Sequence, residues 1–176
     1  MKKIIAILSV FLMLVSCSTS HISYDYDRSA NFSQYKSYNF HPNMNLSTIT
    51  EIEGQRLLTA IEQQMQAKGF VKSETPDIYV DVAPVSRTRK ENSGSIGLGM
   101  GNWGGNFGID IGTAIPLTRK VQDSSLTLEF YEVKNMHVVW QGVFEDTSKV
   151  LTDAAQKDAM VQKAISDVLT QYPPKN

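Results

Sequence analysis

With one cysteine in 176 residues, this chain cannot close an intramolecular disulfide, so its fold must be held by packing. Charge of one sign is lacking as well. Seventeen Lys and Arg oppose eighteen Asp and Glu without a polycationic run, which argues against nucleic acid as a partner. Metal-ligand spacing is missing: His21, His41 and His137 stand far apart, and none falls in a His-Glu-x-x-His or His-x-His pattern. No serine sits in Gly-x-Ser-x-Gly, which weakens an esterase reading. No Lys follows the glycines of residues 94–108 as a phosphate loop requires. They lead into the alternating Ile109-Asp110-Ile111-Gly112 rather than into a helix. Neither a metal, a cofactor nor a catalytic residue is expected. Asp25 and Asp27 share one face of a predicted strand, and Asp77 and Asp81 nearly do. Paired carboxylates serve glycoside hydrolysis or calcium binding, but solvated strand faces use the same letters, and that structural role is the expectation.

What is present begins at the N-terminus. Lys2 and Lys3 precede an uncharged run over residues 4–15, eleven apolar residues and one Ser, which reads as the apolar core of a signal peptide. The run is too short to span a bilayer as a helix. It ends in Leu14-Val15-Ser16-Cys17, which resembles the bacterial lipobox. In that motif the cysteine thiolate takes a diacylglyceryl thioether, and a peptidase cuts just before it. Residues 1–16 are therefore expected to be removed, leaving 160 residues with fifteen cations against eighteen anions. Each buried lipid CH₂ contributes about 0.8 kcal/mol, so two or three acyl chains on Cys17 would hold the protein firmly. Ser18 after the cysteine agrees with sorting to the outer membrane, since Asp there would oppose it. Residues 17–21 then form the lipidated cysteine and a short tether.

Residues 22–176 read as a single domain. Alternation over residues 22–27 and 36–40 predicts two strands, with His41-Pro42-Asn43 as a loop. Thr50 and Glu53 have capping-box spacing, and Leu57, Leu58, Ile61 and Met65 then recur on one helical face up to Gly69, placed as a left-handed cap. Residues 78–85 predict a strand with Ile78, Val80 and Val82 inward. Residues 125–133 and 138–145 predict a hairpin in which Trp140 shares a buried face with Val138, Gly142 and Phe144, Gly142 making room for a neighbour. A second helix is expected from Thr152 or Asp153, with Val161, Ala164, Ile165, Val168, Leu169 and Tyr172 buried, ended by Pro173-Pro174. The order β-β-α-β-β-β-β-α predicts an α+β fold: a mostly antiparallel sheet with both amphipathic helices on one face. Leu57, Leu58, Ile61, Ile165, Val168 and Leu169 should meet Val80, Val82, Leu128, Phe130 and Trp140 in one core.

Eight of the eleven glycines fall in residues 94–112, inside a predicted glycine-rich hairpin or loop over residues 92–114. Ile96, Leu98, Met100, Trp103 and Phe107 are set among them; as exposed side chains they would form a contact surface for an envelope protein, a lipid or a cell-wall component, and as buried ones they would simply cover a sheet edge.

Several strings together resemble the bacterial lipoprotein family catalogued as domain of unknown function 4136. They are Tyr24-Asp25-Tyr26-Asp27 with residues 32–40, Lys68-Gly69-Phe70, Pro76-Asp77-Ile78-Tyr79-Val80, Val139-Trp140-Gln141-Gly142 and Tyr172-Pro173-Pro174. The chain departs from that pattern at Glu129 and Glu132, where the family often carries Asp, and at Gln141, where it has Arg or Lys. The resemblance implies the fold and an envelope location, and brings no catalytic residues. The expected function is a membrane-anchored envelope lipoprotein serving as a non-catalytic binding or structural module. The alternative is a periplasmic hydrolase or small-ligand carrier.

Overall fold

The computed structural model describes residues 20–97 and 114–174. Among the described residues six strands form one sheet in the order β1-β6-β5-β4-β2-β3. They are β1 (His21–Tyr26), β2 (Ser37–Phe40), β3 (Val71–Lys72), β4 (Ile78–Gly97), β5 (Ala114–Glu132) and β6 (His137–Lys149). Helix α1 (Glu51–Ala67) lies between β2 and β3, and α2 (Ala154–Leu169) follows β6. The pairings β1–β6, β6–β5 and β5–β4 are antiparallel, whereas β2 runs parallel to both β4 and β3. This is the expected α+β order with a mostly antiparallel sheet.

Each helix begins where its sequence can satisfy orphan backbone donors. Glu53 N donates to Thr50 Oγ1 (3.3 Å) while Thr50 N donates to the Glu53 carboxylate (3.1 Å), a reciprocated capping box contributing about 1 kcal/mol. At the other end Gly69 takes φ 86°, and Phe70 N reaches back to the Met65 carbonyl at 3.0 Å. A side chain at that φ would be strained, which is why glycine stands there. Asp153 caps α2 by accepting from Gln156 N at 2.9 Å. Lys68 Nζ donates to the Tyr172 carbonyl at 2.7 Å, tying the end of α1 to the segment after α2.

The core lies between the helices and one face of the sheet. Leu57, Ala60, Ile61 and Met65 of α1 and Ala164, Ile165, Val168 and Leu169 of α2 are buried against Tyr38, Ile78, Val80, Val82, Leu128, Phe130 and Trp140. Three expectations need correction, the smallest at Val161, which is half-buried at the margin of the core rather than within it. Leu58 is only half-buried and Ala60 takes the inward place, because one residue turns a helix by about 100° and Leu58 is carried off the stripe that Leu57 occupies. Val138 does not share the face of Trp140. A register shift pairs Phe130 with Trp140 but Tyr131 with Val138, so Val139 is the extra residue of a bulge and is itself buried while Val138 is exposed. Gly142 does make room: a Cβ there would stand 2.4 Å from the Trp140 indole and 2.6 Å from Val168 Cγ1.

Candidate functional site: an extended hairpin arm

Strands β4 and β5 pair from Ile78 opposite Glu132 to Gly97 opposite Ala114, with a bulge between Asn92 and Gly94. Their neighbours stop much earlier. β2 pairs with β4 only as far as Val80, and β6 accompanies β5 only back to Val121 opposite Lys149. Beyond Arg89, the partner of Val121, β4 and β5 continue as a two-stranded ribbon. Eight residues at about 3.3 Å each carry it about 26 Å past the sheet.

The sequence reading ended this strand at Val85 because the chain turns polar there. That polarity is what a ribbon with solvent on both sides requires, and residues 86–90 and 118–120 are exposed. Arg89 donates to Asp123 at 2.7 Å and lies 3.7 Å from Glu91, and Arg119 reaches Glu91 at 2.7 Å. Asp123 also accepts from the Thr147 hydroxyl at 2.8 Å. That hydroxyl and the Arg89 guanidinium hold its carboxyl below the usual carboxylate range. Lys90 stands directly opposite Lys120. Among the described residues neither has an ion-pair partner.

Of the residues singled out in the sequence, Ile96 belongs to β4 and is in register with Ile115. Leu98, Met100, Trp103, Phe107 and the alternating stretch at residues 109–112 lie outside the described residues, as does Cys17. The described flanks of the predicted glycine-rich hairpin are strand, through Gly97 and again from Ala114.

Of the carboxylates considered for chemistry, Asp27 and Asp77 are occupied by the fold, and Asp25 and Asp81 each accept from the next backbone N, of Tyr26 and Val82, at 2.8 Å. Asp27 accepts from the Ser29 hydroxyl (2.6 Å) and backbone N (2.8 Å), and those bonds lower its carboxyl. Asp77 accepts from Lys36 N, Ser37 N and Ser37 Oγ at 2.8 to 2.9 Å and joins β2 to β4. Sequence reasoning missed a cluster on the sheet face away from the helices. Tyr131 OH donates to Glu129 at 2.7 Å, and Gln141 Nε2 donates to its other oxygen at 2.6 Å. The bond to Glu129, with burial, pushes the Tyr131 phenol up to about 12. Positions 129 and 131 alternate in the sequence, but the cross-strand partner appears only with the register. A hollow of about 410 Å³ at the base of the arm is lined by His21, Val85, Arg87, Asp123, Glu145 and Asp146 among others. Among the described residues no three His, Cys, Asp or Glu are grouped to hold a metal ion. No described helix is long and apolar enough to cross a membrane.

A two-helix layer on a mostly antiparallel six-stranded sheet, with one hairpin drawn out past its neighbours, places the chain among α+β domains. It belongs to the family described as Domain of unknown function (DUF4136), whose profile matches residues 22–174. No curated protein matches it. Among solved structures it is similar to a PDZ domain protein from Parabacteroides distasonis, with TM-score 0.54 and 12% identity over 98% of this chain; the chain spans 40% of that protein. It is also similar to the PelC dodecamer from Paraburkholderia phytofirmans in two crystal forms. One has TM-score 0.52 and 15% identity over 86% of this chain and 95% of that one. The other has TM-score 0.51 and 14% identity over 90% and 100%. At such identities the likeness is one of fold.

Proposed function

We propose that this chain is a lipid-anchored protein of the bacterial cell envelope, sorted to the outer membrane and acting as a non-catalytic binding or structural module. The observation that carries the reading is Leu14-Val15-Ser16-Cys17 at the end of a charged-then-apolar leader. The start of β1 at His21 supports it. Four residues from Cys17 to His21 extend at most about 14 Å, so an anchor at Cys17 holds the sheet edge beside the bilayer. The PelC neighbour is a dodecamer, and self-association is one form such a structural role takes.

Intact-mass measurement of the protein purified from bacterial membranes tests the anchor. A species beginning at Cys17 with a diacylglyceryl adduct is expected, and Cys17→Ser should accumulate as the uncut precursor. Cleavage elsewhere, or an unmodified Cys17, refutes the anchor.

A further inference from the structure

The anchor and the arm leave the sheet at the same end. His21 is in register with Glu145, Glu145 with Ser125, and Ser125 with Val85. β1 runs antiparallel to β6, so the chain before His21 departs on the side toward which β4 continues into the ribbon. Ser20 there lines a hollow with Phe144, Ser148 and Met160, on the helix-bearing face. By strand alternation from Val82 and Leu128, Lys90 and Lys120 stand on that same face.

The charge of this end is opposite to that of the whole. The chain carries a net −1, yet residues 87–91 and 119–123 hold Arg87, Arg89, Lys90, Arg119 and Lys120 against Glu91 and Asp123, with Glu145 and Asp146 of β6 at the base. The ion pairs engage Arg89 and Arg119 and leave the lysines facing each other. Like charges directly opposite in a ladder destabilise it, so the ribbon tolerates a placement that its own folding disfavours. An anionic surface would offset that cost.

We propose that the arm is a second membrane contact: its stem, through Lys90 and Lys120, seats on the anionic phospholipid headgroups of the bilayer that holds the anchor. The tether is at most about 14 Å and the ribbon runs about 26 Å past the sheet from the same end, so seating the anchor brings the stem to the headgroups. The inference rests on the lipid anchor proposed above. Each basic residue near an anionic membrane surface raises association about five-fold.

The test uses the full protein, extracted in detergent and reconstituted on vesicles of phosphatidylcholine alone or mixed with phosphatidylglycerol. A fluorophore at Thr118→Cys, on the exposed ribbon, is quenched by a quencher attached to lipid headgroups when the arm is seated. Flotation with the neutral vesicles reads the anchor by itself. Quenching on the anionic vesicles is expected, lost in about 1 M salt, where screening reaches to about 3 Å. Lys120→Glu should reduce the seated fraction at least five-fold. That variant replaces a like-charge pair by an opposite one, so it should fold at least as well as wild type, which its thermal unfolding checks. Equal quenching on neutral and anionic vesicles, or quenching unmoved by Lys120→Glu, overturns the proposal. So does a variant that keeps its quenching but loses a co-purifying protein, which would make the stem a protein contact. Failure to float with neutral vesicles refutes the anchor instead, and salt-sensitive binding to the anionic vesicles still reads the arm.

Discussion

Gly142→Ala should destabilise the domain by about 2 kcal/mol, and the structure fixes the sign. An added methyl normally helps a strand, by roughly 0.5–1 kcal/mol over glycine. Here it would stand 2.4 Å and 3.0 Å from two atoms of the Trp140 indole and 2.6 Å from Val168 Cγ1. The ring cannot swing away. It is fully buried, with the Phe130 centroid at 5.0 Å and the Tyr172 centroid at 5.3 Å. Overpacking of this kind costs about 1–3 kcal/mol, and a wedge against a ring held on both sides belongs at the upper end. A net loss of about 2 kcal/mol lowers Tm by about 4–8 °C in a domain of this length. Thermal unfolding followed by circular dichroism, with urea unfolding by tryptophan fluorescence, measures it. Val168→Ala in the same chain removes one of the close atoms, so the double variant should lose less than the sum of the singles, with a coupling of about 1 kcal/mol. A Gly142→Ala protein as stable as wild type would refute the packing described for Trp140.

Two tyrosines should answer oppositely to loss of the hydroxyl. Tyr172 OH is buried without a hydrogen-bond partner among the described residues, so Tyr172→Phe is expected to be neutral or to stabilise by up to about 1 kcal/mol, whereas Tyr35 OH donates to Glu132 at 3.0 Å and Tyr35→Phe should cost about 1 kcal/mol; urea midpoints of both variants decide it. Asp77 should matter most near neutral pH. The backbone of Lys36, with Ser37, holds its carboxyl below the ordinary value, so its contribution is complete above about pH 4 and is lost as pH falls through the lower folded value. Asp77→Asn is expected to cost about 1–2 kcal/mol at pH 7, modest because the site is half-exposed, and the gap to wild type should close in denaturation curves taken below pH 4.

The parts of the fold legible in the sequence are those in which a local rule decides. Thr50 with Glu53, Asp153 with Gln156 and Gly69 before Phe70 each satisfy backbone groups within one turn, so their letters alone place the helix ends. The inward residues of β4 and β5 alternate as one covered face demands. What was not legible depends on partners distant in the chain. The bulge that turns Val138 out and Val139 in is a matter of register between β5 and β6, and neither strand alone carries a signal for it. The two-residue β3 exists because Val71 and Lys72 meet Ser37 and Tyr38.

A hairpin over residues 92–114 is legible in the glycine-rich sequence, but the continuation of β4 through residues 86–92 is not. Amphipathic alternation reports a sheet with one face covered, and residues 86–92 lack it because among the described residues no helix covers either face of the ribbon. A polar stretch after a buried strand therefore reads as a loop, although its backbone pairs in unbroken register as far as Asn92 opposite Thr118. Of the apolar residues expected from the sequence to form a contact surface, only Ile96 falls within a described strand. The lysines that the structure sets opposite one another carry no motif, since Lys90 and Lys120 are thirty residues apart. Their juxtaposition follows from hairpin register, and register follows from the buried pairs Val80 with Phe130 and Val82 with Leu128 far below them. The core thus determines which charges the arm presents. A one-residue slip in that register would set Lys90 opposite Arg119 or Val121 instead, so core packing and the charge pattern of the stem are parts of one arrangement.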